Sequence, residues 1–208
     1  MFGDAFLTEL VVEYARRWPE VRLDVVLTRR RVDLVEEGFD VAFRIGTIED
    51  AALSAFSLGP ARVRYCASRA YLARRGAPRT PADLRRHECI VVGSDGTASQ
   101  WPFRGKTGVE MVPVSGRLTL TSFALARAAA LAGLGIAIFP EFACAKDVRA
   151  GRLVPVLDAQ RVDVGEVWLV HAARRFLSAR ARAFAELTRE LFASNPPWLV
   201  TEPPRAGR

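Results

Sequence analysis

The chain has 208 residues, half of them hydrophobic, and a formal net charge of +7. That suffices for one large domain or two small lobes with packed cores, and no apolar run approaches the about 18 residues that span a membrane. The N-terminus lacks a basic region followed by an apolar run, so no signal peptide and a cytoplasmic location are expected; the charge is carried by arginines scattered among alanines and acids, with lysine only at Lys106 and Lys146, which argues for a solvated surface rather than a nucleic-acid face.

Phe6, Leu7, Leu10, Val11 and Tyr14 fall at helical spacing and predict a helix from about Asp4 to Arg17, with Asp4 as cap and Pro19 beyond its exit. Val21, Leu23, Val25 and Leu27 alternate as a strand, and Val32–Glu37 reads as a short helix stopped by Gly38. Phe39–Ile45 is the next strand, ending in an Arg44-Ile45-Gly46 loop. Short strand–helix–strand spacing predicts parallel neighbours. The loop after such a strand's carboxyl end is where an open α/β sheet places its ligand.

Arg62–Ala67 reads as a strand, and Ser68 caps a helix ending at Gly76. Thr80-Pro81-Ala82-Asp83 opens another helical segment. Ile90–Val92 is a short strand running into a turn at Gly93-Ser94-Asp95-Gly96. Trp101–Phe103 and Val109–Pro113 read as irregular or edge strands because of their prolines. Gly116–Thr121 is a strand, Ser122 caps a helix from Phe123 to Ala132, and Ile136–Phe139 is a buried strand. Pro140 opens a helix closed by Gly151, followed by extended Leu153–Leu157 and a last strand at Val167–His171. Ser178–Ala193 is an amphipathic helix with Phe184, Leu187 and Leu191 on one face. Asn195–Arg208, with four prolines in fourteen residues, reads as a disordered tail.

Cys66, Cys89 and Cys144 are widely spaced and read as small buried hydrophobes. His87 and His171 have no nucleophile or carboxylate cluster around them, and neither a nucleophile elbow nor a P-loop is present. No enzyme activity, cofactor or metal is expected.

Five segments in order carry a family resemblance: Trp18-Pro19-Glu20-Val21-Arg22-Leu23, the run from Asp33 to Gly46, Cys66-Ala67-Ser68-Arg69-Ala70-Tyr71-Leu72, the run from Ala132 to Glu141, and Phe176-Leu177-Ser178. Across Phe2 to Phe192 the sequence resembles the effector-binding, or substrate-binding, domain of LysR-type transcriptional regulators. The resemblance implies an α/β fold of two Rossmann-like lobes, similar to type II periplasmic binding proteins, with a ligand cleft between them. The implied division is 1–65 for the first part of lobe I, 66–167 for lobe II, 168–194 for the return strand and last helix of lobe I, and 195–208 for the tail. The crossings are expected near Tyr65–Ser68 and Trp168–Ala172.

The family's regulators begin with a winged helix-turn-helix and a linker helix, and this sequence holds neither; it also lacks the family's first lobe-I strand. The expectation is a domain truncated at its N-terminus, through a misplaced start, a truncated gene or a degenerate copy. That strand would bury about three apolar side chains at roughly 1.5–3 kcal/mol each. The alternative is that Val21–Leu27 and Phe39–Ile45 pair directly.

The implied function is sensing of a small metabolite, anionic or aromatic, in a protein that controls transcription. A free solute-binding protein of the same fold and a non-functional truncated regulator are the alternatives. Implied partners are the effector, further copies in a homodimer or homotetramer with Asp4–Arg17 and Val21–Leu27 in the interface, and DNA only through the winged helix; no membrane is implied. The expected ligand-binding residues are Gly3 and Asp4, Arg44 and Gly46, Ser68, and Thr121, Ser122 and Phe123. The helix N-termini among them offer free N–H groups and a positive dipole end. Against this, Ser68, Thr121 and Ser122 could simply cap helices, Arg44 could pair with Asp40, and Asp4 would repel a carboxylate.

Overall fold

A computed structural model of the chain describes residues 2–28, 30–93, 99–173, 177–192, 196 and 198. In chain order the elements are α1 (Phe2–Arg17), β1 (Ala42–Gly46), β2 (Leu53–Ser68), α2 (Arg69–Arg75), a 3-10 turn (Pro81–Arg86), β3 (Cys89–Val92), β4 (Ser99–Arg104), β5 (Val109–Val114), β6 (Leu118–Leu120), α3 (Phe123–Leu131), β7 (Ile136–Pro140), α4 (Glu141–Arg149), β8 (Leu153–Val156), a second 3-10 turn (Asp158–Gln160), β9 (Asp163–Ala172) and α5 (Ala179–Phe192). The chain divides into two compact units. An N-terminal unit takes Phe2–Ala61 and Gly165–Pro197, and a central unit takes Arg62–Val164 together with Trp198. β2 and β9 each pass from one unit to the other.

In the N-terminal unit α1 buries Phe6, Leu10 and Tyr14, one residue per turn on a single face. Tyr14 joins this face to α5: its hydroxyl donates to the Arg180 carbonyl at 2.8 Å, and its ring meets Phe184 edge-on at 5.1 Å. Arg17 closes the far end with a two-pronged pair to Glu190, both contacts 2.7 Å. α5 buries Phe184 and Leu187 as its periodicity predicts.

The sheet of this unit departs from expectation. β1 pairs antiparallel with β9, Ala42 opposite Val170 and Gly46 opposite Glu166, and β9 lies next to β2 in strand order. Val21–Leu27 joins no ladder among the described residues, and Val25, Val26 and Leu27 are 47%, 60% and 53% exposed. Alternating apolar residues favour a strand only where a neighbour takes up the backbone N–H and C=O groups, and among the described residues this segment has no strand neighbour. The short helix expected at Val32–Glu37 is a single turn. The Asp33 carboxylate accepts from the N–H groups of Val35 and Glu36, and Glu37 accepts from the Asp33 N–H while its carboxylate pairs with Arg30. The Arg30 pairing holds the Glu37 carboxyl down at about 2. Asp4, expected to cap α1, lies inside its first turn.

In the central unit β2 runs antiparallel to β7 on one side and to β8 on the other, and β3 lies between β7 and β6 with all three parallel. One face of this sheet carries Tyr65, Trp101, Phe103 and Leu84, the other Ala126, Ala130, Phe139 and Cys144. Cys66, Cys89 and Cys144 are free and buried. The segments expected as edge strands form a hairpin of their own, β4 with β5, Trp101 opposite Val112. The prolines at 102 and 113 are tolerated because each strand has only one partner.

The Gly133–Gly135 pair has two different causes. Gly133 takes φ +75° to end α3, with Leu134 N–H closing onto the Ala129 carbonyl. A Cβ on Gly135 would stand 2.4 Å from the Glu88 carbonyl oxygen, so only glycine lets the lead into β7 run against β3. The turn at Ser94–Gly96 and the Phe176 end of the last motif lie outside the described residues. So does the expected disordered tail except for Pro196 and Trp198, and Trp198 is only 3% exposed.

α3 and α4 are joined by Asp147, whose side chain is fully buried. Its carboxylate accepts from Arg127 Nε, from Arg127 Nη2 at 2.8 Å and from Arg152 Nε at 2.9 Å. Burial pushes this carboxyl up, but the two guanidiniums more than offset it and hold it below its usual range. Asp147→Asn is expected to destabilise the protein by about 3 kcal/mol in urea unfolding. Because its folded value is depressed, the contribution is complete above the ordinary aspartate value of about 3.9 and is lost as pH falls through the lower folded value. The gap between wild type and Asp147→Asn should therefore narrow on acidification from pH 5 to pH 3.

Candidate functional site

Strand direction decides which loops share an end of the central unit. Val63 lies opposite Pro140 and Cys66 opposite Ala137. The carboxyl end of β7 therefore sits beside the start of this unit's stretch of β2, and the carboxyl ends of β3 and β6 lie with it. Two helices start at that end. α3 is capped by Ser122, whose Oγ accepts from Ala124 N–H at 3.2 Å, and α4 follows Pro140 directly. Thr121, Ser122 and Phe123 thus stand where parallel α/β sheets place ligands, beside Gly93, whose N–H donates to the Leu120 carbonyl.

Ser68 lies at the other end. It is opposite Leu153, five strand residues or about 16 Å beyond Val63, and its Oγ caps α2 by accepting from Tyr71 N–H at 3.3 Å. A Cβ on Gly133, at the amino end of β7, would stand 3.3 Å from that oxygen. Ser68 therefore does not share a site with Thr121–Phe123. Its capping role is the one the geometry supports.

In the N-terminal unit the carboxyl end of β1 lies where β9 enters. Gly46 is opposite Glu166, and its carbonyl accepts from Trp168 Nε1 at 2.8 Å. A Cβ on Gly165 would stand 2.6 Å from Gly46 Cα, so two glycine backbones meet here where no side chain fits. Gly46, expected to give a ligand access to the backbone, has its carbonyl already engaged by Trp168. Arg44 does not pair with Asp40. It donates from Nη2 to the Val32 carbonyl at 2.9 Å, which ties β1 to the turn below it, while Nη1 is buried without a protein hydrogen-bond partner. Burial, and then the charge of Arg31, shift its protonation equilibrium downward. A buried guanidinium N–H without an acceptor is the kind of group an anion or an ordered water satisfies. Gly3 and Asp4 lie in the first turn of α1.

The sequence reading missed a cluster at the carboxyl end of the central sheet. Arg64, on β2, pairs with Glu141 at the start of α4 at 2.7 Å, and both side chains are almost fully buried. Asp158 and Arg161 complete the set: Arg161 Nη1 is 3.3 Å from Glu141 Oε1, and Asp158 Oδ1 is 3.9 Å from Arg64 Nε. Glu141 Oε2 and Asp158 Oδ1 have no protein hydrogen-bond partner. The available signal was a charged pair within apolar runs, Arg64 in a strand and Glu141 directly after Pro140. Among the described residues no three His, Cys, Asp or Glu side chains come together to hold a metal ion, and no helix is long and apolar enough to cross a membrane.

Comparison with known proteins gives this geometry a family. Residues 1–193 match the LysR substrate binding domain, and the chain belongs to that family, the effector-binding domain of LysR-type transcriptional regulators. Curated relatives include the probable HTH-type transcriptional regulator LtrA of Klebsiella pneumoniae, 32% identical over 90% of this chain and 62% of its own length. The regulator CrgA of Neisseria meningitidis is 29% identical over 91% of this chain and 63% of its own. The chain thus spans under two thirds of these relatives. The regulatory domain of CrgA superposes with a TM-score of 0.77 at 28% identity, covering 91% of this chain and 93% of that one. The regulatory domain of AphB from Vibrio vulnificus gives 0.76 at 21% identity over 91% and 93%, a likeness of fold. The α/β architecture is that of LysR regulatory domains, which have the two-lobed periplasmic-binding-protein-like fold.

The buried pair predicts a specific mutational pattern. Glu141→Gln should cost about 3–5 kcal/mol, because it removes the closest charge partner of a buried guanidinium. Replacing both partners with apolar residues, Arg64→Met with Glu141→Leu, should recover more than half of that loss. Equilibrium urea unfolding of Glu141→Gln, of the singles Arg64→Met and Glu141→Leu, and of their double variant checks this.

Proposed function

We propose that this domain senses a small anionic or aromatic metabolite for a transcriptional regulator. The family resemblance carries over as candidate effector residues Thr121, Ser122 and Phe123 at the start of α3 in the central unit and, in the N-terminal unit, Arg44 and Gly46 on β1 and the backbone of Gly3 and Asp4 in α1. The observation that carries the reading is the convergence of the carboxyl ends of β3, β6 and β7 with the starts of α3 and α4. Backbone N–H groups and helix dipoles there favour a carboxylate without needing a charged side chain. Arg44 adds a guanidinium whose buried Nη1 lacks an acceptor. Control of transcription, and the DNA contact it needs, are the properties of the longer relatives and are carried over as part of the proposal.

A thermal-shift screen of aromatic and short aliphatic carboxylic acids should raise the melting temperature with at least one compound. Arg44→Ala and Thr121→Ala should each weaken that compound about tenfold or more, corresponding to one lost charge-assisted or well-oriented hydrogen bond. Unchanged affinity in both variants would mean that these residues do not line the site.

The same family reading makes the domain an oligomer, and the exposed Val12, Val25, Val26 and Leu27 offer apolar surface for a second copy. Sedimentation velocity should show self-association that Val26→Glu weakens; a monomer at all concentrations for the wild type would refute it.

A further inference from the structure

The chain between β2 and β3 lies at the end of the central sheet where Ser68 stands beside Gly133. Residues 69–88 hold six arginines against two acids, more than half of the chain's net charge of +7. The segment folds back on itself. The Tyr71 hydroxyl on α2 is 3.1 Å from His87 Nδ1 and accepts from Glu88 N–H at 2.9 Å. Asp83 accepts from the N–H groups of Thr80 and Arg79 at 2.8 and 3.0 Å. Burial, and then the nearby charge of Arg75, push the His87 imidazole down. Asp83 is held below its usual range by the Thr80 and Arg79 N–H groups and, after them, by the charge of Arg86. Arg117 joins the same end, its N–H donating to Glu88 Oε2 at 3.2 Å.

Two of these arginines hold the fold together. Arg69 donates to the Gly151 carbonyl at 3.0 Å and Arg74 to the Gly133 carbonyl at 2.8 Å, at the carboxyl ends of α4 and α3. Arg75, Arg79, Arg85, Arg86 and Arg117 are exposed, and among the described residues their side chains make no hydrogen bond or ion pair. Elsewhere Arg17, Arg22, Arg30 and Arg62 each reach a carboxylate. Like charges crowded without counter-charges repel one another, so folding alone does not account for the five. The exposed residues between them are Ala73, Gly76, Ala77, Thr80 and Ala82. A protein interface is anchored by aromatic and large aliphatic side chains, and this surface offers none. A phosphate backbone needs only guanidiniums, whose forks match its oxygens.

We infer that this arginine surface binds the phosphate backbone of duplex DNA without reading its sequence. Scattered through the sequence, these arginines argue for a solvated surface; the fold gathers them. The surface lies at the end of the sheet opposite Thr121–Phe123 and is tested without an effector.

Fluorescence anisotropy of a labelled mixed-sequence DNA duplex, titrated with the whole chain, tests this. Log K against log salt should fall with a slope of about −3 or steeper, as three or more phosphate contacts require. Arg85→Gln with Arg86→Gln, and separately Arg75→Gln with Arg79→Gln, should each flatten the slope by about 2 and weaken binding about tenfold at low salt. Arg16→Gln with Arg182→Gln removes the same charge from exposed positions in the N-terminal unit and should leave the slope unchanged. No binding by the wild type at low salt, unchanged slopes in both surface variants, or an equal loss in the Arg16 and Arg182 variant overturns the inference. Polyglutamate that competes as well as unlabelled duplex at equal charge assigns the surface to an acidic protein and overturns it too.

Discussion

The direction of β2 against its neighbours is the constraint from which the central unit follows. β2 enters from the N-terminal unit and runs antiparallel to both β7 and β8. The carboxyl ends of β3, β6, β7 and β8 are thereby brought to the end at which the chain enters. Every helix that follows one of these strands starts there, and so do the cap at Ser122 and the buried Glu141. α2 follows β2 itself, so Ser68 is placed at the opposite end. One antiparallel strand therefore separates two serines that look alike in sequence into a residue beside the candidate site and a residue that only ends a helix.

The buried charges are organised around the same sheet. Asp147 links α3 to the segment after α4 through two arginines, which keeps the two helices that start at the site end in fixed relation. Arg64 and Glu141 do the equivalent between β2 and α4, with Asp158 and Arg161 at the margin. Buried charges of this kind add little net stability compared with apolar residues of the same shape. Their effect is to penalise every arrangement in which the partners are apart, and so to specify where α4 begins.

The N-terminal unit is held differently. Its helices pack through Tyr14, Phe184 and the Arg17–Glu190 pair. Its sheet depends on contacts that leave no room for a side chain, with the Gly46 and Gly165 backbones touching and Trp168 bonded to the Gly46 carbonyl. Val25–Leu27 is exposed, and among the described residues no strand takes it into a ladder. The surface that results is more apolar than its charge-rich surroundings, and it belongs to the unit whose α1 also exposes Val12.

Local signals were sufficient for elements whose stability is local. Helix stops at glycine, the caps at Ser68 and Ser122, the core face of α1 at Phe6, Leu10 and Tyr14, and the three buried cysteines could all be read from spacing and residue type, and the order of motifs carried the family. The sequence by itself thus determined which residues start and end helices, which faces are apolar, and to which family the domain belongs. Pairing could not be read, because alternation at Val21–Leu27 describes a segment able to be a strand, and only a neighbour's backbone makes it one. Only the tertiary structure decided that β1 pairs antiparallel with β9, that Ser68 and Ser122 stand at opposite ends of a sheet, that Arg64 meets Glu141, and that Trp198 is buried. For the strand pair, the two serines and the Arg64–Glu141 pair, the determining neighbour lies tens of residues away in the chain, and its position follows from strand direction and packing rather than from anything in the local sequence.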